Sequence, residues 1–227
     1  MRSYFVLLGA VLLASACLAQ SAKEARYQEL LDNNIIHVDS IEIPPGFHAP
    51  VFQNTHDVIW IAVDGAALTF RPPEGEPLEI SFHAGDVRLL RSFAVRQVVN
   101  RGSTPARSVI VQLKARGVLS PGCYCSGSVE KAVCGCGGAP ALPDVWAVVV
   151  GNITLSEATF QPGEGYRHGT RRDDSLLVAV SPAVVQDSMA GADPFTMKAA
   201  DVKWLPAGIH QLRNAGDAPA KLVTIEF

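Results

Sequence analysis

The chain has 227 residues, a formal charge of −3, 48% hydrophobic residues and only 18% charged ones. That balance can build a buried core, and it excludes a disordered or supercharged chain. Cationic runs do not exceed pairs such as Arg171-Arg172, which excludes a nucleic-acid partner bound by phosphate neutralisation.

Residues 1–19 carry one cation at Arg2, an apolar run from Tyr4 to Ala14, and small residues at Cys17 and Ala19. This is the pattern of a secretory signal cleaved before Gln20, and it predicts a secreted or periplasmic protein. A rival reading exists: "ASAC" is similar to a lipobox, in which Cys17 would become a lipid anchor. No later run is apolar for long enough to give a transmembrane span after signal removal. Residues 20–32 form the next unit. "SAKEARYQELLDN", residues 21–33, is rich in helix formers and predicts a short N-terminal helix serving as an arm or lid.

Beyond it come short β-branched runs, among them "DVIWIAV", "SVIVQL", "SLLVAV" and "KLVTIEF", punctuated by "PPGFHAP", "RPPEGEP", "QPGEGY" and "LPAG". Such a series predicts an all-β sandwich or barrel. Residues Asn33–Ala66 align without a gap on Val150–Ala183, sharing Pro45/Pro162, Gly46/Gly163, Asp57/Asp174, Ala62/Ala179 and Val63/Val180. A second block, beginning "GDVRLL" at Gly85, is repeated by "ADVKWL" at Ala200. Repetition on this scale predicts a duplicated domain, with copies over 33–115 and 146–227.

Two motifs within the copies carry a family resemblance. The pattern G-x5-H-x-H-x3-E-x6-G has its spacing met by Gly46, Phe52, Asn54, Val58 and Gly65, and in the second copy by Gly163, Gly169, Arg171, Ser175 and Pro182. The pattern G-x5-P-x-G-x2-H-x3-N falls on Gly85, Arg91, Phe93, Arg96 and Asn100, and then on Ala200, Pro206, Gly208, His210 and Asn214, one residue short before His210. The chain resembles the cupins, in their two-barrel (bicupin, RmlC-like) form. The resemblance implies two jelly-roll β-barrels in tandem, each closed around a pocket.

In metal-binding members of that family the ion is held by the histidines and glutamate of the first motif and the histidine of the second. Here those positions read Phe52, Asn54, Val58 and Arg96, then Gly169, Arg171, Ser175 and His210. Only His210 suits a transition metal, and a guanidinium at a ligand position repels one. The resemblance therefore predicts the barrel and speaks against its usual metal. A bulge in "GEGYRHGTRRDD" could bring His168 and Asp174 beside His210 as a three-ligand site for iron, manganese, nickel or zinc. Against this, Asp57 and Asp174 are aligned in both copies, which points to a shared structural role such as capping a turn. His48 and His56 read as loop or rim residues, and His37 and His83 have no partner at a meaningful spacing.

With the ligand positions facing inward, the first barrel would present Phe52, Asn54, Val58 and Arg96, and the second Arg171, Ser175 and His210. A few polar groups on an apolar lining suit a small molecule, and an arginine suits a carboxylate or phosphate. The alternative is that Arg96 reaches the barrel mouth and Phe52 fills the core.

Residues 116–145 hold "CYCSGSVEKAVCGC". An antiparallel hairpin would set Cys123 opposite Cys136 and Cys125 opposite Cys134, with all four on one face. Export favours two disulfides; zinc or copper(I) binding and a redox role are the alternatives. The sequence thus predicts an exported, non-catalytic bicupin that binds a small anionic or sugar-like molecule or acts as a structural module. Its rivals are a metal-dependent dioxygenase or isomerase working from the second barrel, and a cysteine-based metal handler. Whether the barrels pack within one chain or across a homodimer stays open.

Overall fold

The computed structural model describes residues 24–49, 55–92, 95–114, 145–150, 153–168, 173–188 and 191–227, with 145–150 and 166–168 described in backbone alone. Those residues are all-β. The first half holds β1 (Arg26–Asp32), β2 (Ile36–Ile43), β3 (Asp57–Ala62), β4 (Ala66–Arg71), β5 (Leu78–Phe82), β6 (Val87–Leu90), β7 (Gln97–Asn100) and β8 (Ala106–Leu113). The second holds β9 (Val145–Val150), β10 (Ile153–Phe160), β11 (Gly165–His168), β12 (Ser175–Ala179), β13 (Ala183–Asp187), β14 (Phe195–Met197), β15 (Val202–Leu205), β16 (His210–Asn214) and β17 (Ala220–Glu226).

The strand orders are those of a duplication. The large sheet of the first half runs β1-β2-β8-β3-β6, and that of the second runs β9-β10-β17-β12-β15. The small sheets are β7-β4-β5 and β11-β16-β13-β14. The counterpart of β11 in the first half is a single bridge, His48 to Val99. Each half is thus a sandwich of a five-stranded and a smaller antiparallel sheet, the jelly-roll arrangement expected from the sequence.

Three hydrophobic clusters explain why the key strands read as continuous apolar runs. In β3, Val58, Trp60 and Ala62 point into the first sandwich with Leu68, Phe70 and Phe82, and Ile59 and Ile61 point the other way. The same alternation in β12 sends Leu177 and Ala179 into the second sandwich, and Leu176 and Val178 outward. The outward sets meet: Ile59, Ile61, Val109 and Val111 share one buried cluster with Leu176, Val178, Val223 and Ile225. The two large sheets therefore pack face to face in one chain, and their central strands are buried on both sides. Burying a side chain of this size contributes about 1.5–3 kcal/mol, so this seam is a major part of the fold's stability.

The N-terminal helix expected over residues 21–33 is not formed. Arg26–Asp32 instead pairs antiparallel with β2, with a register shift between Glu29 and Leu31. The bulge lets two successive residues, Leu30 and Leu31, both pack on the seam. Tertiary pairing overrides helix propensity here, because a lone helix this short is marginal in water while the open edge of β2 offers a full ladder. In sheet order β1 occupies the edge position that β9 occupies in the second half. The residues read as a signal, 1–19, and the four cysteines read as a hairpin, within 123–136, lie outside the described residues.

Candidate functional site

The same turn chemistry in the two halves frames each barrel. Asn100 Nδ2 donates to the carbonyls of Ile43 and Thr104, both at 2.8 Å, and its Oδ1 accepts from Gly102 N. Asn214 repeats this with Phe160 O at 3.1 Å, Ala218 O at 2.8 Å and Gly216 N. Asp57 Oδ1 accepts from Ser92 N at 2.9 Å, and Asp174 Oδ1 accepts from Ala207 N at 2.8 Å. Both aspartates therefore tie the start of a central strand to the loop that leads into the last strand but one of their half. This is a shared structural task of the kind their alignment suggested.

In the first barrel the position of the family's glutamate is Val58, fully buried beside Trp60 and Ala62. Aromatic rings fill the space around it: Trp60 meets Phe70 edge-on at 5.3 Å between centroids, and Phe70 meets Phe82 at 6.0 Å. Arg96 is exposed in the turn before β7, so its guanidinium is at the solvent side of the barrel. Phe52 and Asn54 lie outside the described residues.

The second barrel is more polar. Ser175 takes the glutamate's position, on the same face of β12 as Leu177 and Ala179; it is fully buried, and its hydroxyl has no hydrogen-bond partner. His210 opens β16 and is 8% exposed. Its Nδ1 lies 2.5 Å from Asp187 Oδ2 and its Nε2 lies 2.9 Å from Pro206 O. Asp187 is held in turn by Gln211 N, at 3.1 Å from Oδ1. A carboxylate and a carbonyl both accept, so both ring nitrogens donate, which is the arrangement of an imidazolium. Burial is the largest single influence and lowers the His210 pKa. The hydrogen bonds to Asp187 and Pro206, with the Asp187 charge, together outweigh it and raise the pKa above the ordinary histidine value.

A metal ligand needs a bare ring nitrogen, and His210 as placed offers none. With a valine and a serine at the two glutamate positions, the described donor set does not fit the metal of the family pattern. Among the described residues no group of three His, Cys, Asp or Glu side chains gathers for a metal ion. The β11–β16 register does set His168 directly across from His210 in backbone, with Asp174 committed to Ala207. Gly169 and Arg171 lie outside the described residues, as do Cys123, Cys125, Cys134 and Cys136.

Of the remaining histidines, His48 and His83 are exposed, and His56 sits beside Thr55 in the turn before β3. His37 does have partners: its ring lies between Asp32 Oδ1 at 3.0 Å and Asp39 Oδ2 at 3.1 Å. That group is a surface network, which Lys114 joins through Asp32 at 2.7 Å. Sequence reasoning missed Asp187. The repeat alignment could have found it, since Asp187 stands where the first copy has Phe70, and a carboxylate in place of a buried phenyl ring calls for a cation.

No family model and no curated protein sequence matches the chain. Solved structures do. AerE from Microcystis aeruginosa superposes with a TM-score of 0.63 at 10% identity, covering 91% of this chain and 99% of its own. Ylba from E. coli gives 0.63 at 11% identity, covering 89% and 82%. A variant of oxalate decarboxylase from Bacillus subtilis gives 0.59 at 15% identity, covering 90% and 73%. At such identities the likeness speaks for architecture alone. Together with the duplicated sheet order and the paired motifs, it shows the fold: two barrels of the cupin type in one chain.

Proposed function

We propose that the protein is an exported, non-catalytic bicupin that serves as a small-molecule binding or structural module, with a small anionic or sugar-like ligand. The observation that carries this reading is the state of His210. The one residue that keeps the family's ligand identity has both nitrogens engaged by oxygen acceptors inside the protein. Val58 and Ser175 at the glutamate positions support it, because neither supplies the anionic oxygen that a divalent ion would need. Export rests on the leader pattern in residues 1–19.

Titrating sugars and sugar acids into the mature protein, beside a determination of its metal content, tests the reading. Saturable binding by metal-free protein supports it; turnover that requires an added metal overturns it. N-terminal sequencing tests export: a start at Gln20 fits signal cleavage, lipid on Cys17 fits anchoring, and an intact Met1 contradicts both.

A second reading, a metal-dependent oxygenase or isomerase in the second barrel, rests on the register that sets His168 across from His210. It requires His210 to release Pro206 O, so loss of metal in His210→Ala would favour it.

A further inference from the structure

The two ends of the seam are related by the duplication but are filled differently. At one end the first half's turn at Gly85 rests on the second half. A Cβ added at Gly85 would lie 2.8 Å from Glu157 Oε2 and 3.1 Å from Lys221 Cδ. Lys221 closes this end by pairing with Glu157 at 2.9 Å and donating to Ala84 O at 2.9 Å.

At the other end the equivalent turn carries Ala200, and it faces Ser40 and Arg107, which stand where Glu157 and Lys221 stand in the second half. Serine is too short to fill the space. Arg107 turns away into a two-pronged pair with Asp64, Nε to Oδ2 at 2.6 Å and Nη2 to Oδ1 at 2.9 Å. What remains is a cavity of about 380 Å³, within the range of small-molecule sites.

The walls of the cavity mix apolar surface with polar side chains, and the polar ones carry a pattern. Arg26 of β1 is the cross-strand partner of Glu42 in β2, and Glu42 is the partner of Arg107 in β8. This makes a row of alternating charge across three strands, and Gln28 and Ser40 form the next row on that face. Among the described residues the Arg26 guanidinium makes no hydrogen bond or ion pair with protein groups. Ala200, which lines the cavity, has φ +76 and is alone among described non-glycine residues in that region. Its counterpart Gly85 meets the same backbone demand without the clash of a Cβ. Strain kept at a cavity wall is where a site is to be sought.

We infer that this seam cavity binds a small hydroxylated carboxylate of the sugar-acid class. Its carboxylate pairs with Arg26, and its hydroxyls meet Gln28, Ser40 and Glu42. The inference shares with the proposed function only the premise that the protein binds a small molecule, and a metal in either barrel would leave it standing.

The test is calorimetric titration of the full mature chain with glucuronate, and with glucose as the uncharged control. Glucuronate should bind saturably and glucose about tenfold more weakly or worse, the scale of one charge-assisted pair. Arg26→Gln should weaken glucuronate by a similar factor. Ser40→Glu, which restores the second half's filling residue, should abolish binding, and Gln28→Ala gives a milder check if that variant folds poorly. Ser175→Ala, in the barrel, should leave the affinity unchanged. Absence of saturable glucuronate binding, binding indifferent to Arg26→Gln and Ser40→Glu, or loss in Ser175→Ala would each overturn the assignment.

Discussion

Replacing His210 with alanine should destabilise the protein in a manner that depends on pH. The imidazolium and the Asp187 carboxylate are both largely buried, with side chains 10% and 6% exposed. Removing one member of such a pair leaves the other charge without compensation, which costs about 3–5 kcal/mol. For a chain of this size each kcal/mol lowers Tm by roughly 2–4 °C, so the low end of that range already means roughly 6–12 °C. The sign of the pH dependence follows from the raised folded-state pKa of His210. Its stabilisation is complete below the unfolded value of about 6.5 and is lost as pH rises through the higher folded value. At pH 5.5 the full deficit should appear. As pH rises through that folded value the wild-type ring loses its proton, and the deficit should shrink toward that of an ordinary hydrogen bond, about 1 kcal/mol. Thermal unfolding of wild type and His210→Ala, followed by circular dichroism across this range, measures the gap. A gap of equal size at both ends would refute the imidazolium assignment.

Further outcomes follow from the same geometry. Asn100→Ala and Asn214→Ala should each cost about 2–3 kcal/mol in denaturant unfolding, because each removes three hydrogen bonds and strands one buried carbonyl, that of Ile43 or Phe160. A cost below about 0.5 kcal/mol at either would argue against the shared bracing role. Gly85→Ala should destabilise by about 1–2 kcal/mol through its positive φ, since the Glu157 and Lys221 side-chain ends it meets can shift. Ala200→Gly should be neutral or stabilising by up to about 1 kcal/mol, and a clear loss of stability there would contradict the strain.

The fold was legible because the duplication repeats turn chemistry that few residues can supply. Gly46 and Gly163 both adopt positive φ, and Asn100 and Asn214 make matching sets of bonds, so the motif spacing reported real geometry. β1 was misread because "ARYQELL" has helix formers throughout, and its strand state comes from the edge of β2, which no local pattern records. The sequence left the packing of the two barrels open, although the composition of two strands bears on it. "DVIWIA" and "SLLVA" are too apolar for strands with one wet face, and each proves to be buried on both sides.

The site was less legible. Motif position identified His210 and Ser175, but the meaning of His210 depends on Asp187, 23 residues away in sequence and chosen by the β13–β16 register. The seam cavity could not be read at all, since it arises from a difference in filling between two halves that only packing brings together.

The proposed function requires a cupin-fold chain whose barrels hold no transition metal. Elemental analysis of the purified mature protein, under non-reducing conditions, tests it most directly. The account predicts less than about a tenth of an equivalent of any transition metal, because the described ligand positions supply valine, serine and an imidazolium. Stoichiometric iron, manganese, nickel or zinc that disappears in His210→Ala would contradict it.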